Sequence, residues 1–183
     1  MKTLSYALLG LLARGSCSGY DLTQQLQGIG VFWSAGHSHI YPELAALEKV
    51  GYVAYQVVEQ QERPDKKVYT LTDMGRNALQ RWVLDVTEPV VTRDELLLKT
   101  YSVWLVEPLQ VAPIYRHHEQ VHLARVAKYQ ARLAEIEQLA GGMPQDMTSP
   151  HFSSYALLKR GAISEQSYAD WCAWLASRLE QSR

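Results

Sequence analysis

Apolar residues open the chain at helical spacing. Leu4, Leu8, Leu11 and Leu12 predict a helix over roughly Leu4 to Arg14, stopped by Gly15. Ser18 then offers a hydroxyl cap, with Asp21 in the first turn, to a second helix that carries Leu22 and Leu26 and ends near Gly28. The loop from Ile29 to Gly36 holds Phe32 and Trp33, expected to pack on the core. A third helix is expected from about Ser38 to Val50, with Ile40, Leu44 and Leu47 inward at i, i+4 and i+7. Pro42 fits there because a proline in the first turn lacks only an N–H that the helix does not use. Gly51 closes it. The period then changes: Tyr52 to Glu59 is rich in Val and Tyr and reads as a strand. Gln60 to Asp65 is polar, contains Pro-Asp and turns the chain, and Lys67 to Leu71 returns as a second strand. Thr72 caps a fourth helix to about Val86, with Leu79, Trp82 and Val83 on its apolar side. Helix, turn, helix, then hairpin is the layout of a winged helix.

Glu88-Pro89 breaks the fourth helix, so the chain divides into residues 1–87 and an all-helical part, 88–183. Thr92-Arg-Asp-Glu95 reads as a capping box for a helix to about Leu105. Glu107-Pro108 opens a long helix to about Ala140, with Val121, Val126, Leu133, Ile136 and Leu139 as its apolar stripe. Such a stripe exceeds what a small domain can cover, which invites a partner helix from another subunit. After Gly141-Gly142 and a loop to Pro150, a last helix runs from about His151 to Leu179, with a bend expected at Gly161. The fold class is mainly α with a small β-hairpin.

Composition narrows the setting. Hydrophobic residues reach 47% of 183, which supports a packed core and argues against disorder. The apolar run Tyr6–Ala13 is too short to cross a bilayer and has no cleavage site for a leader. Cys17 and Cys172 fall in different segments, so no disulfide is expected and a cytoplasmic setting follows. Net charge is −1, and residues 1–85 carry eight Lys/Arg against eight Asp/Glu. A nucleic-acid-binding role therefore depends on where charge is placed, and binding is expected to be salt-sensitive.

The third helix carries the chemistry. His39 and Tyr41 lie near its N-terminus, opposite Ile40 and Leu44, where recognition helices meet bases. Ser38 can donate to a phosphate, and Pro42 can touch a sugar or a thymine methyl. Arg63, Lys66 and Lys67 bracket the wing tip and suit phosphate contact, although Glu59, Glu62 and Asp65 dilute the patch. Tyr20 and Gln24 on the second helix can reach backbone phosphate. For each of these the competing reading is packing or plain solvation. Trp82, Tyr101, Trp104, Trp171 and Trp174 form a candidate aromatic effector pocket or dimer interface. His118 and His122, at i and i+4, raise a metal reading that no further Cys or carboxylate completes, so no metal and no cofactor are expected. No phosphate loop, nucleophile elbow or supported catalytic pair occurs, so no enzyme is expected.

Four motifs in order resemble the PadR family of bacterial transcriptional regulators. They are Ser18-Gly-Tyr-Asp-Leu22, His39-Ile-Tyr-Pro-Glu-Leu44, Leu47-Glu-Lys-Val-Gly51, and Lys67-Val-Tyr-Thr-Leu-Thr72 with Gly75. The second half is similar more loosely, through Asp94-Glu95 with Lys99 and Leu158-Lys-Arg-Gly161 with Trp171, to the AphA-like subgroup with a large C-terminal helical domain. The resemblance implies a winged helix-turn-helix DNA-binding domain over 1–87 and a dimerisation domain over 88–183. It implies a homodimeric repressor on a two-fold double-stranded operator, in some members responsive to a small aromatic effector. Two other readings stay open: a winged helix that docks on protein, and a histidine-based metal-dependent enzyme.

Overall fold

The computed structural model describes residues 1–28, 39–59, 65–89 and 93–182. The chain forms two compact units, Met1–Pro89 and Val90–Arg183.

The first unit holds α1 (Thr3–Leu12), β1 (Cys17–Ser18), α2 (Gly19–Gly28), α3 (Ile40–Lys49), β2 (Val53–Val58), β3 (Lys66–Leu71) and α4 (Asp73–Leu84). Its core is a set of buried leucines from α1 to α3, joined by Ile40, Val53 and Tyr69. Helical spacing marks the helical positions other than Leu9, because one apolar stripe per helix suffices when three helices converge. Gly51 follows α3 at φ +75°, a left-handed conformation that releases the chain into β2. Thr72 caps α4 by accepting from the Gly75 amide at 3.1 Å.

The sheet is larger than the expected hairpin. Its order is β1-β3-β2, all antiparallel, with Cys17 opposite Tyr69 and Ser18 opposite Val68. Ser18 therefore lies in a strand, and α2 begins one residue later. The wing pairs from Val53 opposite Leu71 to Val58 opposite Lys66. α4 ends at Leu84, and Val83, expected on its apolar side, is exposed. Trp82 stacks on Tyr6 of α1, centroids 4.5 Å apart and rings within 6° of parallel. The segment with Phe32 and Trp33 lies outside the described residues.

The second unit holds α5 (Glu95–Thr100), a 3-10 turn (Val103–Leu105), α6 (Pro108–Ala140) and α7 (Pro150–Gln181). The helix expected to reach Leu105 stops at Thr100. Its cap is Asp94, whose Oδ1 accepts from the Leu96 and Leu97 amides at 2.8 and 3.2 Å. Thr92 lies outside the described residues. α6 and α7 form an antiparallel hairpin, from Arg116 with Glu180 near one end to Tyr155 with Glu137 near the other. The buried stripe of α6 runs through Val111, Tyr115, His122, Val126, Tyr129 and Leu133, and Leu139 is exposed. It recurs at Val111, His122 and Leu133, eleven residues apart, close to the natural pitch of a straight helix. Two tyrosines and a histidine sit in it, so a purely apolar pattern misses it. α7 answers with small residues: Gly161, Ala169, Cys172 and Ala176. It passes through Gly161 as one helix, and a Cβ there would come 2.4 Å from the Tyr129 ring. Gly161 thus admits a ring; no bend needs it.

Candidate nucleic-acid interface

In the first unit, α3 turns Ile40, Leu44 and Leu47 into the core, which fixes the opposite face outward. His39, Tyr41, Pro42, Ala45, Ala46 and Lys49 are all exposed, Tyr41 by 55%. Tyr41, Ala45 and Glu48 line one side of an open groove of about 680 Å³. Ser18 of β1 with Gly19 and Tyr20 at the start of α2 form another side, and Asp65, Lys66, Lys67 and Tyr69 of the wing close it. Tyr20 is 64% exposed, and Gln24 is exposed one turn further along α2. The expected site residues Tyr41, Tyr20, Lys66 and Lys67 thus meet at one groove.

Charge in the groove is partly spoken for. Lys66 Nζ lies 3.2 Å from Asp21 Oδ2, so it is tied to α2 rather than held out at the wing tip. Asp21 also accepts from the Ser18 hydroxyl at 2.6 Å and the Ser18 amide at 3.0 Å. Those bonds, the hydroxyl first, hold its carboxyl below the ordinary range, with Lys66 adding to them. Lys67 stands over the Tyr55 ring, 3.9 Å from its centroid, and remains exposed. Ser38 and Arg63 lie outside the described residues.

The sequence-based choice missed Ala45, Ala46 and Lys49. Each falls on the outward stripe that Tyr41 begins, and small residues there leave the backbone free to approach a partner. Their spacing from Tyr41 was the available signal, obscured because alanine carries no chemistry.

The five aromatic residues put forward as an effector pocket or a dimer interface fall in both units. Trp82 belongs to the first unit. In the second, Trp171 packs edge-on against Tyr115 and Tyr168, centroids 5.8 and 5.4 Å apart. Trp174 is more than half exposed on α7, while Tyr101 (84% exposed) and Trp104 (78%) stand on the surface around the 3-10 turn. Trp104 lines a shallow cavity of about 510 Å³ with Val103, Leu105, Val106, Pro108 and Leu179.

The second unit also holds a polar cluster. The Tyr168 hydroxyl donates to Asp94 Oδ2 at 2.7 Å and is the first cause holding that carboxyl below the ordinary range. Burial and this bond raise the Tyr168 hydroxyl in turn. His122 stacks on Tyr168 at 4.1 Å and pairs through Nδ1 with Glu165. The Glu165 carboxylate of α7 thus engages one ring nitrogen of His122, and among the described residues no group of three possible ligands gathers. Burial lowers His118 first, with His117 and His122 adding to it. Cys172 is fully buried and its thiol is pushed up to about 11, which leaves it inert.

Three helices, a three-stranded sheet and a fourth helix, with α3 outward beside the wing, define a winged helix-turn-helix protein. Residues 8–81 match the transcriptional regulator PadR-like family, and residues 92–180 match the virulence activator alpha C-term family. The chain is 32% identical to the negative transcriptional regulator PadR of Bacillus subtilis (strain 168), over 99% of this chain and 100% of that protein. The crystal structure of Bacillus subtilis PadR with operator DNA is similar at 31% identity and a TM-score of 0.86, over 97% of this chain and 99% of that one. The same protein with p-coumaric acid is similar at 30% identity and a TM-score of 0.79, over 98% and 100%. The chain belongs to the PadR-like family of transcriptional regulators, and it is a regulator rather than an enzyme. No helix among the described residues is long and apolar enough to cross a membrane.

Proposed function

We propose that this chain is a cytoplasmic, homodimeric repressor that binds a two-fold operator, with α3 in the major groove and the wing on the adjacent backbone. The observation that carries this reading is the outward stripe of α3, Tyr41 to Lys49, flanked by the groove that Tyr20 and Lys67 share. A relative that matches over nearly the whole chain has been crystallised with operator DNA, which supports it. Tyr41 and His39 read base edges, Pro42, Ala45 and Ala46 meet thymine methyls, and Lys67, Gln24, Tyr20 and Lys49 hold phosphates. Lys66 is assigned to holding the wing against α2. Met1–Pro89 acts as the DNA-binding domain and Val90–Arg183 as the dimerisation domain.

The second unit supports the dimer with exposed apolar side chains at Leu98, Tyr101, Trp104, Leu105 and Leu109. Both cysteines are free, in keeping with a reducing compartment. The effector is a small phenolic acid, as in the relative crystallised with p-coumaric acid. It acts by binding one arrangement of the dimer better than another. A nuclease footprint on the DNA upstream of the protein's own gene tests the reading. Two protected half-sites about 34–36 Å apart, released by p-coumaric acid, are expected. Uniform cutting at every protein concentration overturns it.

A further inference from the structure

Gly19 is the first residue of α2, and the Tyr41 ring lies directly against it. A Cβ on Gly19 would sit 2.6 Å from Tyr41 Cε1, 3.2 Å from Cζ and 3.3 Å from Cδ1. The backbone at this point has little room to yield. Ser18 is paired with Val68 in the sheet, and it exchanges bonds with Asp21: the Ser18 amide donates to the carboxylate at 3.0 Å and the Asp21 amide donates to the Ser18 hydroxyl at 3.2 Å. The Gly19 carbonyl accepts from buried Thr23 at 2.8 Å. A side chain at Gly19 would therefore move the ring and leave α2 in place. The exposed side of that ring faces the groove.

We propose that Gly19 is a positioning residue for recognition: its missing side chain is the seat that fixes Tyr41 in the orientation that reads bases. The proposal rests on the reading of α3 as the DNA-reading helix. Gly10 of α1 supplies the contrast, since a Cβ there meets nothing within 4 Å. Replacing a helical glycine by alanine ordinarily leaves stability unchanged or raised, because the unfolded chain loses freedom. Gly19→Ala is thus expected to harm recognition without harming the fold.

The test uses the full-length protein and a duplex that the wild type itself selects from a randomised pool, against a scrambled duplex of equal composition. Gly19→Ala lowers the preference for the selected duplex by about tenfold, the loss of one good base contact. Its salt dependence matches the wild type, because no phosphate contact is removed, and Gly10→Ala keeps the full preference. In a Tyr41→Ala background Gly19→Ala has no further effect, since the methyl then has room. If Gly19→Ala alone unfolds the protein, the double variant folds again. The proposal is overturned by a Gly19→Ala preference within about twofold of the wild type, by an equal loss in the Tyr41→Ala background, or by a double variant that stays unfolded. Tyr41→Ala that keeps the full preference overturns the α3 reading itself and the proposal with it; Gly19→Ala failing while Tyr41→Ala loses preference overturns the proposal alone.

Discussion

The two units spend their apolar residues differently. The first gathers leucines of α1, α2 and α3 around one centre, and its outward α3 face is a mixture of tyrosine, alanine and charge. The second packs large rings of α6 against small residues of α7, yet leaves Leu98, Tyr101, Trp104, Leu105 and Leu109 uncovered. A surface of the first kind suits a polar, charged partner approached closely. One of the second kind suits an apolar partner that excludes water. The proposed division of labour between operator and dimer rests on that contrast.

Substitutions sharpen it, beginning with the largest effect. Leu44→Ala, at a fully buried position of α3, is expected to cost about 3 kcal/mol and to unfold the first unit early on heating, with DNA binding lost alongside. Calorimetry that shows no loss of stability would place Leu44 outside the core. Trp104→Ala is expected to weaken the dimer by about 2 kcal/mol, roughly 30-fold, while the protomer stays folded. Sedimentation equilibrium reads this, and an unchanged dimer constant separates the exposed face from the interface. Lys67→Gln is smaller still: affinity falls about equally for selected and scrambled duplexes, and the salt slope drops by about one. A sequence-dependent loss would instead make Lys67 a reader.

Acid acts on the second unit through Asp94. Its folded-state pKa lies below the ordinary value, so folding takes up no proton there at neutral pH and gains stability from the ionised carboxylate. That gain is complete above about pH 4 and disappears as the pH falls through the lower, folded value. Asp94→Asn is therefore expected to be less stable than the wild type at pH 7, with the gap narrowing in acid. Denaturant titrations at both ends of that range measure it, and a gap that widens in acid contradicts the Tyr168 contact.

Much of the first unit was legible because its helices obey one period and its caps use side chains with known chemistry: Thr72 caps α4, and Ile40, Leu44 and Leu47 are buried. β1 was not legible, since two residues carry no alternation and their pairing with Tyr69 and Val68 depends on a segment some fifty positions away. Asp94 caps α5, and its second carboxylate oxygen accepts from Tyr168, a contact across 74 residues that local spacing does not display. The tryptophans left alternatives open for a related reason: the sequence shows that rings are present, not which neighbours they meet, and Trp82 stacks on Tyr6. At the candidate interface, Tyr41 stood out through its chemistry, while the roles proposed for Gly19 and Ala45 rest on what they lack.

The most direct trial is fluorescence anisotropy of the wild type and Tyr41→Ala on the duplex upstream of the gene, over a salt series. The account predicts that wild-type affinity falls linearly with the logarithm of salt, and that Tyr41→Ala keeps this slope while losing about 1–3 kcal/mol of preference for that duplex. A flat salt response in the wild type, or an unaltered preference in the variant, would contradict the claim that α3 and the wing dock on DNA.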